Sequence, residues 1–84
     1  MDMRITRTSD VHEVVFHVDG QLCRENVDEL TRELESIDGP VALELSGLQS
    51  VDNDGIAILL GVAASGVDLR GVSPYIELLL KRKT

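Results

Sequence analysis

The chain has 84 residues and a net charge of −7, and this excess of carboxylates disfavours binding to nucleic acid or to anionic lipid. Its length predicts one domain, residues 1–84, near the lower limit for folding without disulfides. A single cysteine, Cys23, and the lack of an apolar run of membrane-spanning length lead us to expect a cytoplasmic protein that does not insert into membranes.

In the first half of the chain, apolar periodicity predicts two strands and a helix. Alternation around Met3–Ile5 and Val14–Val18 indicates an antiparallel hairpin, whose second strand is expected to end at Asp19-Gly20. Asn26 is a suitable N-cap for a helix. From there to Ile37, apolar residues recur at helical spacing, which predicts an amphipathic helix with its charged residues facing solvent.

The second half continues with two further strands and two further helices. Val41–Leu45 and Val67–Arg70 have the composition of strands, and Ser46–Ser50 is predicted to be a loop. Ile56–Val62 is apolar almost all round, as expected of a helix central to a core or docked on a partner. Ser73-Pro74 predicts the start of a third helix. The order β-β-α-β-α-β-α predicts a small α/β domain, with a four-stranded mixed sheet that is parallel after the hairpin and has its helices mainly on one side.

The most informative stretch is an acidic turn, Asp52-Asn53-Asp54-Gly55, between the third strand and the apolar helix. It places carboxylates at a helix N-terminus, where backbone N–H groups are unpaired and negative charge is favoured. Helix capping explains one acidic or amide residue at this turn. Binding of a protein partner would also explain why three such residues follow one another and why an exposed glycine comes after them. If a partner binds there, the candidate residues are Asp52, Asn53, Asp54, Gly55, Ala57 and Gly61.

The same residues do not assemble an enzyme or a metal site. An EF-hand loop beginning at Ser50 would need a glutamate where Gly61 stands. Phosphoryl transfer would need a lysine and further carboxylates at other strand ends, yet the first lysine is Lys81. His12 and His17 are five residues apart, on opposite faces of a strand, and lack further ligands nearby. We therefore expect no catalysis, no cofactor and no bound metal.

The order of elements and the run VALELSGLQSVDNDGIAILL resemble the STAS family, whose founding members are bacterial anti-sigma factor antagonists. The family's central motif is Asp-Ser-(Ser/Thr)-Gly between an apolar strand and a Leu-rich helix. Asp52 matches its aspartate and Gly55 its glycine. Gly20 resembles the glycine before the first helix, and Leu69-Arg70-Gly71-Val72-Ser73-Pro74 resembles the last strand and turn. The similarity covers essentially the whole chain.

This resemblance implies a non-catalytic, partner-switching regulator of transcription. In antagonist members the motif Ser or Thr is phosphorylated by an anti-sigma factor that is itself a serine kinase, and the phosphorylated form releases that kinase. Here Asp54 occupies the phospho-acceptor position and Asn53 the position before it, so no hydroxyl is available. The resemblance also leaves open a STAS subunit of an ABC-type lipid transport complex, bound to its ATPase. Either way, the expected partner is a protein.

Overall fold

A computed structural model describes residues 2–82, in which five strands and three helices form a small α/β fold. In chain order the elements are β1 (Met3–Ser9), β2 (Val14–Leu22), α1 (Val27–Glu35), β3 (Val41–Glu44), β4 (Leu48–Val51), α2 (Asn53–Ala64), β5 (Asp68–Arg70) and α3 (Pro74–Arg82). The α/β class, the three helices and the mixed sheet predicted from the sequence are confirmed.

The sheet is built around the long strand β2. β1 pairs with it antiparallel over the whole of β1, from Met3 opposite Gly20 to Ser9 opposite Val14. Along its other edge, β2 pairs in parallel with β3 near its start and with β4 near its end. β5 then pairs in parallel with β3. The predicted pattern of an antiparallel hairpin followed by parallel strands is therefore confirmed.

The hydrophobic core lies on one face of this sheet. Phe16 of β2 and its register neighbour Leu43 of β3 are fully buried there. Each helix adds a fully buried residue to the same cluster, namely Leu30 from α1, Leu59 from α2 and Ile76 from α3. The three helices therefore cover one side of the sheet, as predicted.

The opposite face of the sheet is polar. Residues that are neighbours in its register there include Thr6, His17, Glu44 and Arg70. The Arg70 guanidinium donates two hydrogen bonds of 2.8 Å to the Glu13 carboxylate, and these bonds raise the pKa of Arg70. This contact fixes β5 to the turn between β1 and β2.

The predicted four-stranded sheet is wrong, because the sheet has a fifth strand, β4, which begins within the predicted loop Ser46–Ser50 and ends at Val51. Leu48 is buried and Val51 packs against the core, whereas Gln49 between them is exposed. This four-residue strand is too short for its alternation to be distinguished from an irregular loop by sequence pattern alone. Its pairing with β2, which is long enough to hold both β3 and β4, gives it a strand conformation.

The predicted end of β2 at Asp19-Gly20 is also wrong. The strand continues to Leu22, with a register shift between Gly20 and Gln21 where β4 joins it. Gly20 has a φ of 92°, and an added Cβ there would collide with the carbonyl oxygen of Asp2. The glycine therefore marks an irregularity within a strand and not the end of one.

Three helix starts were predicted from the sequence. Those of α2 and α3 have the expected side-chain N-cap, whereas that of α1 does not. The Ser73 hydroxyl accepts a hydrogen bond from the Ile76 N–H at 3.2 Å, as expected of an N-cap. Asn26 occupies the N-cap position of α1, but its side chain does not cap the helix. It bridges the preceding turn instead, accepting from the Cys23 N–H and donating to the Gln21 carbonyl.

Within residues 2–82, no helix is both long enough and apolar enough to cross a membrane.

Candidate functional site

The acidic turn predicted from the sequence forms the start of α2, and Asp52 caps it. The Asp52 Oδ1 atom accepts a hydrogen bond from the Gly55 N–H at 2.8 Å, and its Oδ2 atom accepts one from the Arg24 N–H at 2.9 Å. Since Arg24 follows β2, the same carboxylate joins the N-terminus of α2 to the loop that leads into α1. These hydrogen bonds, first from Gly55 and then from Arg24, lower the pKa of the Asp52 carboxyl. Asp52 therefore has the structural role that capping predicts.

Gly55 allows α2 to approach the end of β2. The Asp52 N–H donates to the Leu22 carbonyl at 3.2 Å, and a Cβ added at Gly55 would lie 2.5 Å from that same oxygen. Gly55 is buried, so the expectation of an exposed glycine at this turn is wrong. Glycine is needed here because any larger residue would push the helix away from the strand.

The structure leaves Asn53 and Asp54 exposed at the start of α2. Among residues 2–82, nothing forms an ion pair or a hydrogen bond with the Asp54 side chain. Ala57, Gly61 and Ala64 are exposed as well, three, seven and ten residues after Asp54, a spacing that aligns residues along one side of a helix. We call Asp54, Ala57, Gly61 and Ala64 the outer face of α2.

A cleft of about 320 Å³ lies between the start of α2 and α3. Asn53, Tyr75 and Arg82 are among the residues that line it. Tyr75 and Leu78 are 56% and 57% exposed, and single exposed apolar side chains of this kind are common on protein surfaces. Neither residue is among the candidates that the sequence predicts. Their one signal in the sequence is that both lie outside the apolar stripe of α3, which begins at Ile76.

The other residues considered for chemistry are dispersed. Within the described part of the chain, no three His, Cys, Asp or Glu side chains are grouped to hold a metal ion. His12 lies in the turn between β1 and β2, and His17 lies on the polar face of the sheet, where its Nε2 atom is 3.4 Å from the Thr8 hydroxyl. Cys23 contacts the Glu25 carboxylate at 3.5 Å.

The outer face of α2, by contrast, presents one carboxylate beside a row of small residues, and such a surface suits contact with another macromolecule.

Comparison with known proteins identifies no family for this chain. The chain matches no protein-family model, and no curated protein is significantly similar to it in sequence. Because one fold supports many functions, the residues of the site are the basis for deciding what it binds.

Proposed function

We propose that this protein is a non-catalytic, protein-binding module of the STAS type, a partner-switching regulator similar to the anti-sigma factor antagonists. The partner docks on the outer face of α2. The observation that carries the proposal is that Asp54 is the only charged residue in α2, although a whole side of this helix is exposed. Exposed helix faces in globular proteins ordinarily carry charged and polar side chains.

The contrast with α1 shows how unusual this face is. In its nine residues, α1 carries Asp28, Glu29, Arg32, Glu33 and Glu35. The outer face of α2 instead exposes Gly61, and glycine in a helix interior costs about 0.5–1 kcal/mol relative to alanine. Nothing within the described chain lies within 4 Å of a Cβ built at Gly61, so internal packing does not require glycine there. Close approach of a partner does explain it.

Three further features support a STAS-type module. The mixed sheet with helices on one side is compatible with such a fold. Asp52 and Gly55, at the positions of the family's aspartate and glycine, cap α2 and let it pack closely. Asp54, at the phospho-acceptor position, is exposed where an enzyme could reach it. Its carboxylate brings one charge, compared with about −1.5 to −2 for a phosphate at pH 7, and in our proposal this fixed charge holds the module in one binding state.

The test is affinity capture from the native cell with the full chain as bait. Ala57→Arg places a long charged side chain on the outer face and should abolish capture of the partner. Ala63→Arg is the matched control, since Ala63 is also exposed in α2 but lies about 120° away around the helix. Both variants should unfold at the same temperature as the wild type within a few degrees.

The identity of the captured protein separates the candidate functions. An anti-sigma factor or serine kinase supports the proposed regulator, whereas the ATPase subunit of a transporter supports the alternative assembly. Loss of capture with both arginine variants, or with neither, would contradict docking on the outer face. ATP hydrolysis by the purified chain that disappears in Asp54→Ala would contradict a non-catalytic module.

A further inference from the structure

An apolar groove lies between α1 and α2 and meets the outer face of α2 at Gly61. It measures about 370 Å³, and its apolar walls are Leu34, Ile58, Val62 and Val67. The two hydroxyls beside it are already bonded, because Thr31 and Ser65 each donate to a carbonyl of their own helix. The groove therefore offers apolar surface and one carboxylate, that of Glu35, at its rim.

The side of α1 next to the groove carries negative charge. Asp28, Thr31 and Glu35 are spaced to lie along one side of the helix, and the two carboxylates are about 10 Å apart along its axis. Arg32 is spaced to reach either carboxylate, yet within residues 2–82 it pairs with neither. Glu35 is also the last residue of α1, where the helix dipole disfavours a negative charge. A cation from outside the chain would be favourable at both carboxylates.

We propose that this groove binds a basic amphipathic helix of the partner protein. An apolar row of that helix enters the groove, and basic side chains about seven residues apart pair with Asp28 and Glu35. The inference rests on the proposed function, since it assumes a protein partner on α2, and adds the chemistry of the docking segment. Charge selects this occupant, because a second copy of the chain, with its net charge of −7, would bring carboxylates against carboxylates.

The probe is a display library of helix-forming peptides about 15 residues long, selected on the full chain. Each peptide has a fixed apolar row, and its flanking positions vary among Lys, Glu and Gln. Selected peptides should carry Lys at two flanking positions about seven apart, and should shift the NMR amide resonances of α1 and α2. A selection without preference for Lys, or shifts confined to α3 or the polar face of the sheet, would overturn the proposal.

Variants then test the groove with one selected peptide. Gly61→Leu places a side chain in the groove and should weaken binding by at least about tenfold, and Ser65→Leu is a second blocking variant. Glu35→Lys should weaken binding about fivefold more than Glu33→Lys, which makes the same charge change on the far side of α1. The proposal would be overturned if Glu33→Lys and Glu35→Lys weakened peptide binding equally and neither Gly61→Leu nor Ser65→Leu had an effect. The peptide would then be held only by general attraction to the negative net charge of the chain. Self-association of the wild type that Gly61→Leu abolishes would make a second copy the occupant and also overturn it.

This inference and the proposed function can fail separately. Peptide binding that depends on the groove, together with native capture that Ala57→Arg does not affect, would overturn only the proposed function. Native capture that depends on Ala57 but not on Ser65→Leu or Glu35→Lys would overturn only the groove proposal.

Discussion

Gly55 and Gly61 lie in the same helix, and replacing each by alanine should change stability in opposite directions. Neither has a positive φ, so the backbone conformation requires glycine at neither position. At Gly61 an added Cβ would meet no atom within 4 Å. Gly→Ala in a helix interior then gains about 0.5–1 kcal/mol, and we expect Gly61→Ala to be more stable than the wild type by that amount.

At Gly55 the same methyl group has no room. Its carbon would lie 2.5 Å from the carbonyl oxygen of Leu22 and 3.2 Å from the Leu22 Cγ atom. That oxygen belongs to β2 and accepts the Asp52 N–H, so it cannot move without disturbing the sheet and the helix start. Overpacking of this kind costs about 1–3 kcal/mol, more than the gain in helix propensity. The two variants should therefore differ by about 2 kcal/mol, or about 10 °C in Tm for a domain of this size.

Urea and thermal unfolding followed by far-ultraviolet circular dichroism would measure both effects. Ala57→Gly is the matched control, because it makes the reverse change on the outer face and should cost about 1 kcal/mol. If Gly55→Ala were as stable as the wild type, the close approach of α2 to β2 would not be a fixed feature of the fold. If Gly61→Ala were destabilising, position 61 would not be open as described.

Two further predictions concern the carboxylates of the acidic turn. Asp52 has a lowered pKa in the folded state, so its contribution to stability is complete above its ordinary pKa of 3.8 and is lost as the pH falls through the lower value. Unfolding titrations between about pH 6 and pH 3 should therefore show a larger loss of stability for the wild type than for Asp52→Asn. Asp54→Ser restores a hydroxyl at the phospho-acceptor position, and mass spectrometry should detect phosphate there when the variant, but not the wild type, is incubated with ATP and a captured kinase. Phosphorylation of the wild type, for example on Ser50, that releases the partner would contradict the locked binding state.

The parts of the fold that the sequence predicted are those with strong periodicity. The hairpin, the amphipathic α1 and the buried strand β3 each show an apolar pattern long enough to identify the element. β4 was missed because four residues give too short a pattern, and its conformation depends on β2 extending past Gly20 to Leu22. That extension is a tertiary effect, since a glycine after an aspartate is locally typical of a turn.

At the candidate site, the acidic turn starts a helix as the sequence predicted, but the sequence did not separate the roles of its residues. It placed Asp52 at the helix start, but the second hydrogen bond from Arg24 joins residues 28 positions apart and has no sequence signal. Gly55 was predicted to be exposed for a partner, whereas the structure buries it against β2. Composition alone could not separate a glycine that packs against the chain's own backbone from Gly61, which faces open space.

This division of roles also explains why α2 is apolar almost all round. Ile56 and Leu59 are buried on its inner side, as a helix central to the core requires. On its outer side the chain could have placed charged residues without disturbing that core, as it does on α1. It has Ala57 and Gly61 there instead, with a single carboxylate at Asp54. Asp52 and Gly55 hold the start of α2 against β2, and binding of a protein partner is the role that we propose for Asp54, Ala57 and Gly61.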